Sequence, residues 1–170
     1  MAYRTKTYIA ADWDGDRNLV ETLQRWNSSE YWSLSFPDAH ELVQARDSSK
    51  ACSIKKSLCL RLDASKTFVL IVGDQTASLR KGSCQYCTSY SGWCHRGYSA
   101  STKSFIEYEC EYAATNNLKV VVLYNMAKVD KSLCPVSVRN LGNHLSAWRY
   151  SSEDHKYHWD YQAIKRAIER

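Results

Sequence analysis

Proline and glycine are scarce in this chain. Two Pro and six Gly among 170 residues leave little room for long flexible linkers. One domain built on one core is the expectation, spanning residues 1–170. No apolar stretch approaches the roughly 20 residues that a bilayer-crossing helix needs, so no membrane partner is expected. The formal net charge is +5, yet Lys and Arg are scattered. The concentrated basic stripe of a nucleic-acid surface is missing, and no nucleic-acid partner is expected. A mild positive excess does suit a phosphate-bearing small molecule. No internal repeat is present. Met1–Lys6 is polar and does not read as a secretory signal, which predicts a cytoplasmic chain. Its seven Cys are then expected as reduced thiols, metal ligands or core residues rather than as a disulfide framework.

Against these absences stand 12 Tyr, 6 Trp and a hydrophobic fraction of 44%, enough to fold without covalent help. Thr7–Ala11 (TYIAA) reads as a short buried strand ending at Asp12. Asp12-Trp13-Asp14-Gly15-Asp16 reads as a turn able to cap a helix, on which Leu19, Leu23 and Trp26 recur at helical spacing. Trp32–Phe36 alternates large apolar residues with Ser and predicts a second, weaker strand, broken at Pro37. Asp47-Ser48-Ser49 offers an N-cap for a helix carrying Ile54, Leu58, Leu60 and Leu62. Thr67–Val72 (TFVLIV) is uncharged and continuously apolar, the mark of a central strand buried on both faces. Residues 80–102, rich in Ser, Gly, Cys and Tyr, read as an insertion. A helix follows over about 103–116, then a buried strand over Leu118–Tyr124 (LKVVVLY). A last short strand is expected in Leu145–Tyr150 and an amphipathic helix over 157–170. Strand and helix in alternation predict an α/β fold: a doubly wound parallel sheet of about five strands, flanked by helices. Ligands of such sheets bind beyond the C-terminal strand ends, where strand order reverses. That places Asp12–Trp13, Pro37–His40 and Gly73–Thr76 near the expected crevice.

Glu109 does not fit a plain core. Ile106, Cys110 and Ala113 should face the sheet, while Phe105, Glu109 and Ala113 form an i, i+4, i+8 stripe beside them. Glu109 therefore lies at the edge of the buried face, with Glu107 and Glu111 pointing outward. A carboxylate there is costly unless it is paired or used, and desolvation should raise its pKa. Such groups are enriched in functional sites. The plain alternative is a carboxylate that reaches outward to water or pairs with an Arg.

The stretch Phe105-Ile106-Glu107-Tyr108-Glu109-Cys110-Glu111-Tyr112-Ala113, followed by the strand Leu118–Tyr124, resembles the TIR signature. There an aromatic precedes the catalytic glutamate by four residues and a small residue follows it by four. Phe105 stands where Trp is more usual. Thr7–Asp12 resembles the first TIR strand and Thr67–Thr76 the third strand with its loop. Asp38-Ala39-His40 and Ala45-Arg46-Asp47-Ser48-Ser49 resemble a bacterial, flavodoxin-like TIR subgroup that includes the sensor subunits of Thoeris antiphage defence. The resemblance covers roughly residues 5 to 150. It implies an NAD glycohydrolase or ADP-ribosyl cyclase activity with NAD as substrate and no further cofactor. It also implies an ADP-ribose-derived signal read by a separate effector protein, a phage-derived trigger, and a homo-oligomer. Glu109 becomes the expected catalytic carboxylate and Phe105 the side chain near the nicotinamide end. Asp12, Trp13, Asp47 and Ser48 are weaker candidates for lining the pocket. Ala10 and Ala11 depart from the Ser and aromatic that many TIR domains carry at the end of the first strand.

The insertion holds Cys84-x-x-Cys87 and then Cys94-His95, donor types of a structural zinc site. The match is incomplete, with one C-x-x-C pair and two adjacent ligands, so zinc is not favoured. The alternative is a reduced, packed loop anchored by Tyr86, Tyr90, Trp93 and Tyr98. Two other functions compete with the enzyme. A non-catalytic TIR-like adaptor would have no need of Glu109. A flavin-binding domain would want a phosphate-cradling loop rich in Ser and Thr after the first strand, where this chain has the acidic Asp12-Trp13-Asp14-Gly15-Asp16. That loop is similar to a receiver's phosphoacceptor site, but a receiver would also want a lysine after a late strand, and Lys128 is only loosely placed.

Overall fold

A computed structural model describes residues 4–32, 34–37, 50–97 and 99–169. Its centre is a parallel sheet of four strands in the order β1 (Lys6–Ala10), β2 (Ser65–Val72), β3 (Lys119–Tyr124) and β4 (Asn143–Ser146). The uncharged runs explain the middle of it. Successive side chains of a strand point to opposite faces, and a strand covered on both sides must be apolar throughout. Phe68, Leu70 and Val72 enter one core cluster, and Val69 and Ile71 enter the other.

Among the described residues, two helices cover each face. On one side α2 (Ala51–Asp63) and α3 (Phe105–Thr115) supply Leu58, Leu62, Ile106, Cys110 and Ala113. On the other, α1 (Arg17–Ser28) and α4 (Tyr161–Glu169) supply Leu19, Leu23, Trp26, Ile164 and Ile168. Each such aliphatic side chain withdrawn from water stabilises the fold by about 1.5–3 kcal/mol before entropy is counted. The result is the doubly wound, flavodoxin-like architecture that the sequence predicts.

Three sequence expectations are corrected. First, Leu34–Pro37 has no regular secondary structure, although Leu34 and Phe36 are buried as a strand's would be. Its backbone donors go to side chains: Phe36 N–H to Asn27 Oδ1 (2.8 Å) and Ser35 N–H to Glu169 Oε1 (3.5 Å). Thr7 N–H donates to the Pro37 carbonyl at 2.8 Å, but Pro37 has no N–H with which to extend a ladder. The sheet therefore has four strands among the described residues rather than about five. Second, the helix expected over 157–170 starts at Tyr161, because Lys156–Trp159 forms β6, antiparallel to β5 (Trp148–Ser151). Third, the strand expected in Leu145–Tyr150 is divided between β4 and β5. Paired rings decide the hairpin: Trp148 stacks on Trp159 at 3.8 Å, and Tyr150 meets Tyr157 at 5.3 Å.

The chain reverses direction at β1. From β1 it passes through α1 to Leu34–Pro37 on the outer edge, then returns by way of α2 to β2 on the inner edge. A crevice opens between the C-terminal ends of β1 and β2, as the general rule for such sheets requires. Among the described residues, no helix is long and apolar enough to cross a membrane.

Candidate active site

Helix α3 positions Glu109. Its start is fixed by a reciprocal capping box, in which Ser104 Oγ accepts from Glu107 N–H (3.2 Å) and Glu107 Oε2 accepts from Ser104 N–H (2.8 Å). Such a cap is worth about 1 kcal/mol and sets the rotation of the helix. Ile106, Cys110 and Ala113 face the sheet, and Glu107 and Glu111 stay exposed, as the periodicity predicts. Glu109 goes deeper than the edge position expected of it, with 6% of its surface exposed.

The Glu109 carboxylate meets the first strand. Tyr8 Oη donates to Glu109 Oε1 across 101 residues of sequence. Loss of hydration pushes the Glu109 pKa up to about 7, while the Tyr8 hydrogen bond and then the Arg61 guanidinium pull it back. Arg61, on α2, is 6% exposed, and its Nε has no hydrogen-bond partner. The site is thus a carboxylate poised near neutrality, with one phenol and one buried cation beside it. Sequence reasoning missed both companions. A tyrosine in a buried strand must find a partner for its hydroxyl, and Arg61 stands between Leu60 and Leu62 in an apolar run. Neither signal says which partner is chosen.

Phe105, first residue of α3, is half-buried. Its ring lies against the backbone of Gly82, whose φ is +96° and where a Cβ would come within 2.5 Å of the ring. Its N–H donates to the Lys81 carbonyl at 2.8 Å. Phe105 therefore holds the beginning of the insertion. The other end is tied down by Lys55, 5% exposed, whose Nζ donates to the Lys103 carbonyl (2.8 Å) and lies 5.4 Å from the Tyr108 ring centre.

The crevice at the strand ends is a separate place. It encloses about 200 Å³ between Asp12, Gly15, Asp16, Gly73, Asp74, Gln75 and Asn125. Asp16 is buried and accepts from Asn125 Nδ2 at 2.9 Å instead of capping α1. Burial raises its pKa, the Asn125 bond lowers it, and Asp12 and Asp74 raise it further. Three carboxylates here repel a phosphate. Asp12 lines this crevice. Trp13, 42% exposed, does not line it, and no hydrogen bond joins Asp12 to Glu109. Glu109 lines neither this crevice nor the smaller cleft beside Glu107, Cys134 and Arg139. Asp47 and Ser48 lie outside the described residues, as do Asp38, His40 and Tyr98.

The cysteines of the insertion form no disulfide among the described residues. Cys84 Sγ accepts from Ser101 N–H at 3.3 Å, and Cys94 pairs through its backbone with Tyr90. Cys87 is half-buried. Among the described residues, no three His, Cys, Asp or Glu side chains are placed to hold a metal ion.

Residues 8–81 match the family described as "Thoeris protein ThsB, TIR-like domain". The match begins within β1, takes in α1, α2 and β2 and ends at Lys81, so nearly all of the insertion and the whole Glu109 helix lie beyond it. No curated protein matches the chain. Over residues 8–81, then, the chain is similar to the ThsB-type TIR-like domain, and it carries that stretch on a flavodoxin-like parallel sheet.

Proposed function

We propose that this TIR-like chain cleaves the bond between nicotinamide and ribose in NAD, with Glu109 as the catalytic carboxylate. One observation carries the reading: a carboxylate in the TIR register, four residues after Phe105 and four before Ala113, is buried and raised to about 7. Such tuning is characteristic of reactive groups. As the bond from C1′ to nitrogen breaks, nicotinamide leaves with the electron pair and becomes neutral. The positive charge passes to the ribose, as in glycoside cleavage. An ionised Glu109 within reach of that ribose stabilises the cation and can hold a hydroxyl, and fixed charge of this kind is often the largest catalytic term. Water, or a nucleophile from elsewhere in the nucleotide or from a second molecule, then closes the ribose centre. The product is an ADP-ribose-derived signal, cyclic or conjugated, for an effector in antiphage defence. Assembly into a homo-oligomer and a phage-derived trigger complete the proposal.

The test is nicotinamide release from NAD by the purified protein, with and without lysate of phage-infected cells. Wild type should release nicotinamide, with a rate that climbs as pH rises through about 7, because the ionised carboxylate is the active form. Glu109→Gln should lose activity by roughly two to three orders of magnitude. Equal release by both proteins would overturn the assignment. No release by wild type with the trigger present would favour the non-catalytic adaptor.

A further inference from the structure

We infer that Tyr8 is a positioning residue for Glu109: its phenol fixes one carboxylate oxygen and favours the charged form of the group. The inference rests on the reading of Glu109 as the reactive carboxylate.

The geometry makes Tyr8 suited to this task. It is 1% exposed on β1, the edge strand of the four-stranded sheet, and its Cα pairs with that of Phe68 in the parallel register. The two rings lie nearly parallel, 13° apart with centres at 6.0 Å, so the phenol has little freedom to swing. Its O–H is aimed at Glu109 Oε1 and, among the described residues, is the one hydrogen-bond donor to that carboxylate.

The groups facing Glu109 from each packed element are few. β1 contributes Tyr8, α2 contributes Arg61, and the carboxylate's own helix contributes Cys110, whose buried thiol is itself pushed up in part by Glu109. Of the two that stabilise the charge, the phenol outweighs the guanidinium, which forms no ion pair with the carboxylate. A phenylalanine side chain at position 8 would fill nearly the same core volume and supply no donor. The hydroxyl is what separates a packing role from an electrostatic one.

The experiment follows the Glu109 carboxyl by ¹³C NMR titration in the full chain, assigned by its loss in Glu109→Gln. Tyr8→Phe keeps the ring and removes the donor, so the Glu109 midpoint should rise by roughly one to two pH units. A 3-fluorotyrosine placed at position 8, a stronger donor, should move the midpoint the other way. Opposite shifts in folded proteins support the proposal. An unchanged midpoint in either variant overturns it, because a structural tyrosine would leave the carboxyl's titration where it was. The pH profile of nicotinamide release should shift with the midpoint, and a titration that moves while the profile stays fixed overturns the positioning role. Absence of release by wild type counts against the enzymatic reading alone, since the titration decides Tyr8 independently.

Discussion

Two buried carboxylates, Asp16 and Glu109, sit in opposite electrostatic settings on the same sheet. Both are more than nine-tenths buried, and burial raises both pKa values. Asp16 lies at the crevice where the fold would ordinarily hold a ligand, beside two further acids, and its bonded partner is the neutral amide of Asn125. Glu109 lies away from that crevice, in the helix layer of the opposite face, with a phenol on it and a buried cation near it. The acidic crevice repels a pyrophosphate, and the proposed function therefore rests on Glu109 rather than on the crevice that the architecture supplies. The neighbours of a carboxylate, more than its depth, separate a structural acid from a reactive one.

The sharpest way to break this comparison is to neutralise each acid in turn. Glu109→Gln should remove nicotinamide release by two to three orders of magnitude, whereas Asp16→Asn should leave it within roughly threefold. Equal losses would erase the distinction. Stability should report the same contrast. The folded-state pKa of Glu109, about 7, lies above the ordinary 4.5, so the native protein holds the proton more tightly than the unfolded chain. That contribution is favourable to folding below about 4.5 and is lost as pH rises through about 7. Removing the charge should therefore stabilise the protein at pH 8 by about 3 kcal/mol, with the gain fading toward pH 4.5, as read by urea unfolding at several pH values. A gain independent of pH would mean that the carboxylate is not desolvated. A smaller effect is expected at Gly73, where a Cβ would stand 2.3 Å from Asp16 Oδ1. Gly73→Ala should cost about 1–3 kcal/mol in stability with little change in release per folded molecule. A neutral Gly73→Ala would show that the crevice acid is free to move.

Much of this arrangement is legible in the sequence, and the parts that are not have a common cause. β2 and β3 announce themselves because a strand buried on both faces must be apolar along its buried run, and Phe68–Val72 and Val120–Leu123 are. The Glu109 helix is readable because Phe105, Ile106, Glu109, Cys110 and Ala113 follow helical spacing, and the capping box of Ser104 and Glu107 narrows the expected 103–116 to Phe105–Thr115. Leu34–Pro37 has a strand's alternation, yet its N–H groups are taken by Asn27 and Glu169, which no local pattern reveals. The β5–β6 hairpin is hidden for a related reason: Trp148 finds Trp159 across a turn, while Tyr157 also fits the apolar stripe of the helix that follows. In the site, periodicity finds Glu109 and misses Tyr8 and Arg61. A period says which face a residue occupies, and only the tertiary fold says which residue on another element it meets.

The most direct measurement is mass spectrometry of nucleotides from phage-infected cells that carry either wild type or Glu109→Gln. The account predicts an ADP-ribose-derived species in the wild-type cells that is missing from the mutant, with both proteins folded and equally abundant. The same nucleotide profile in both would contradict it.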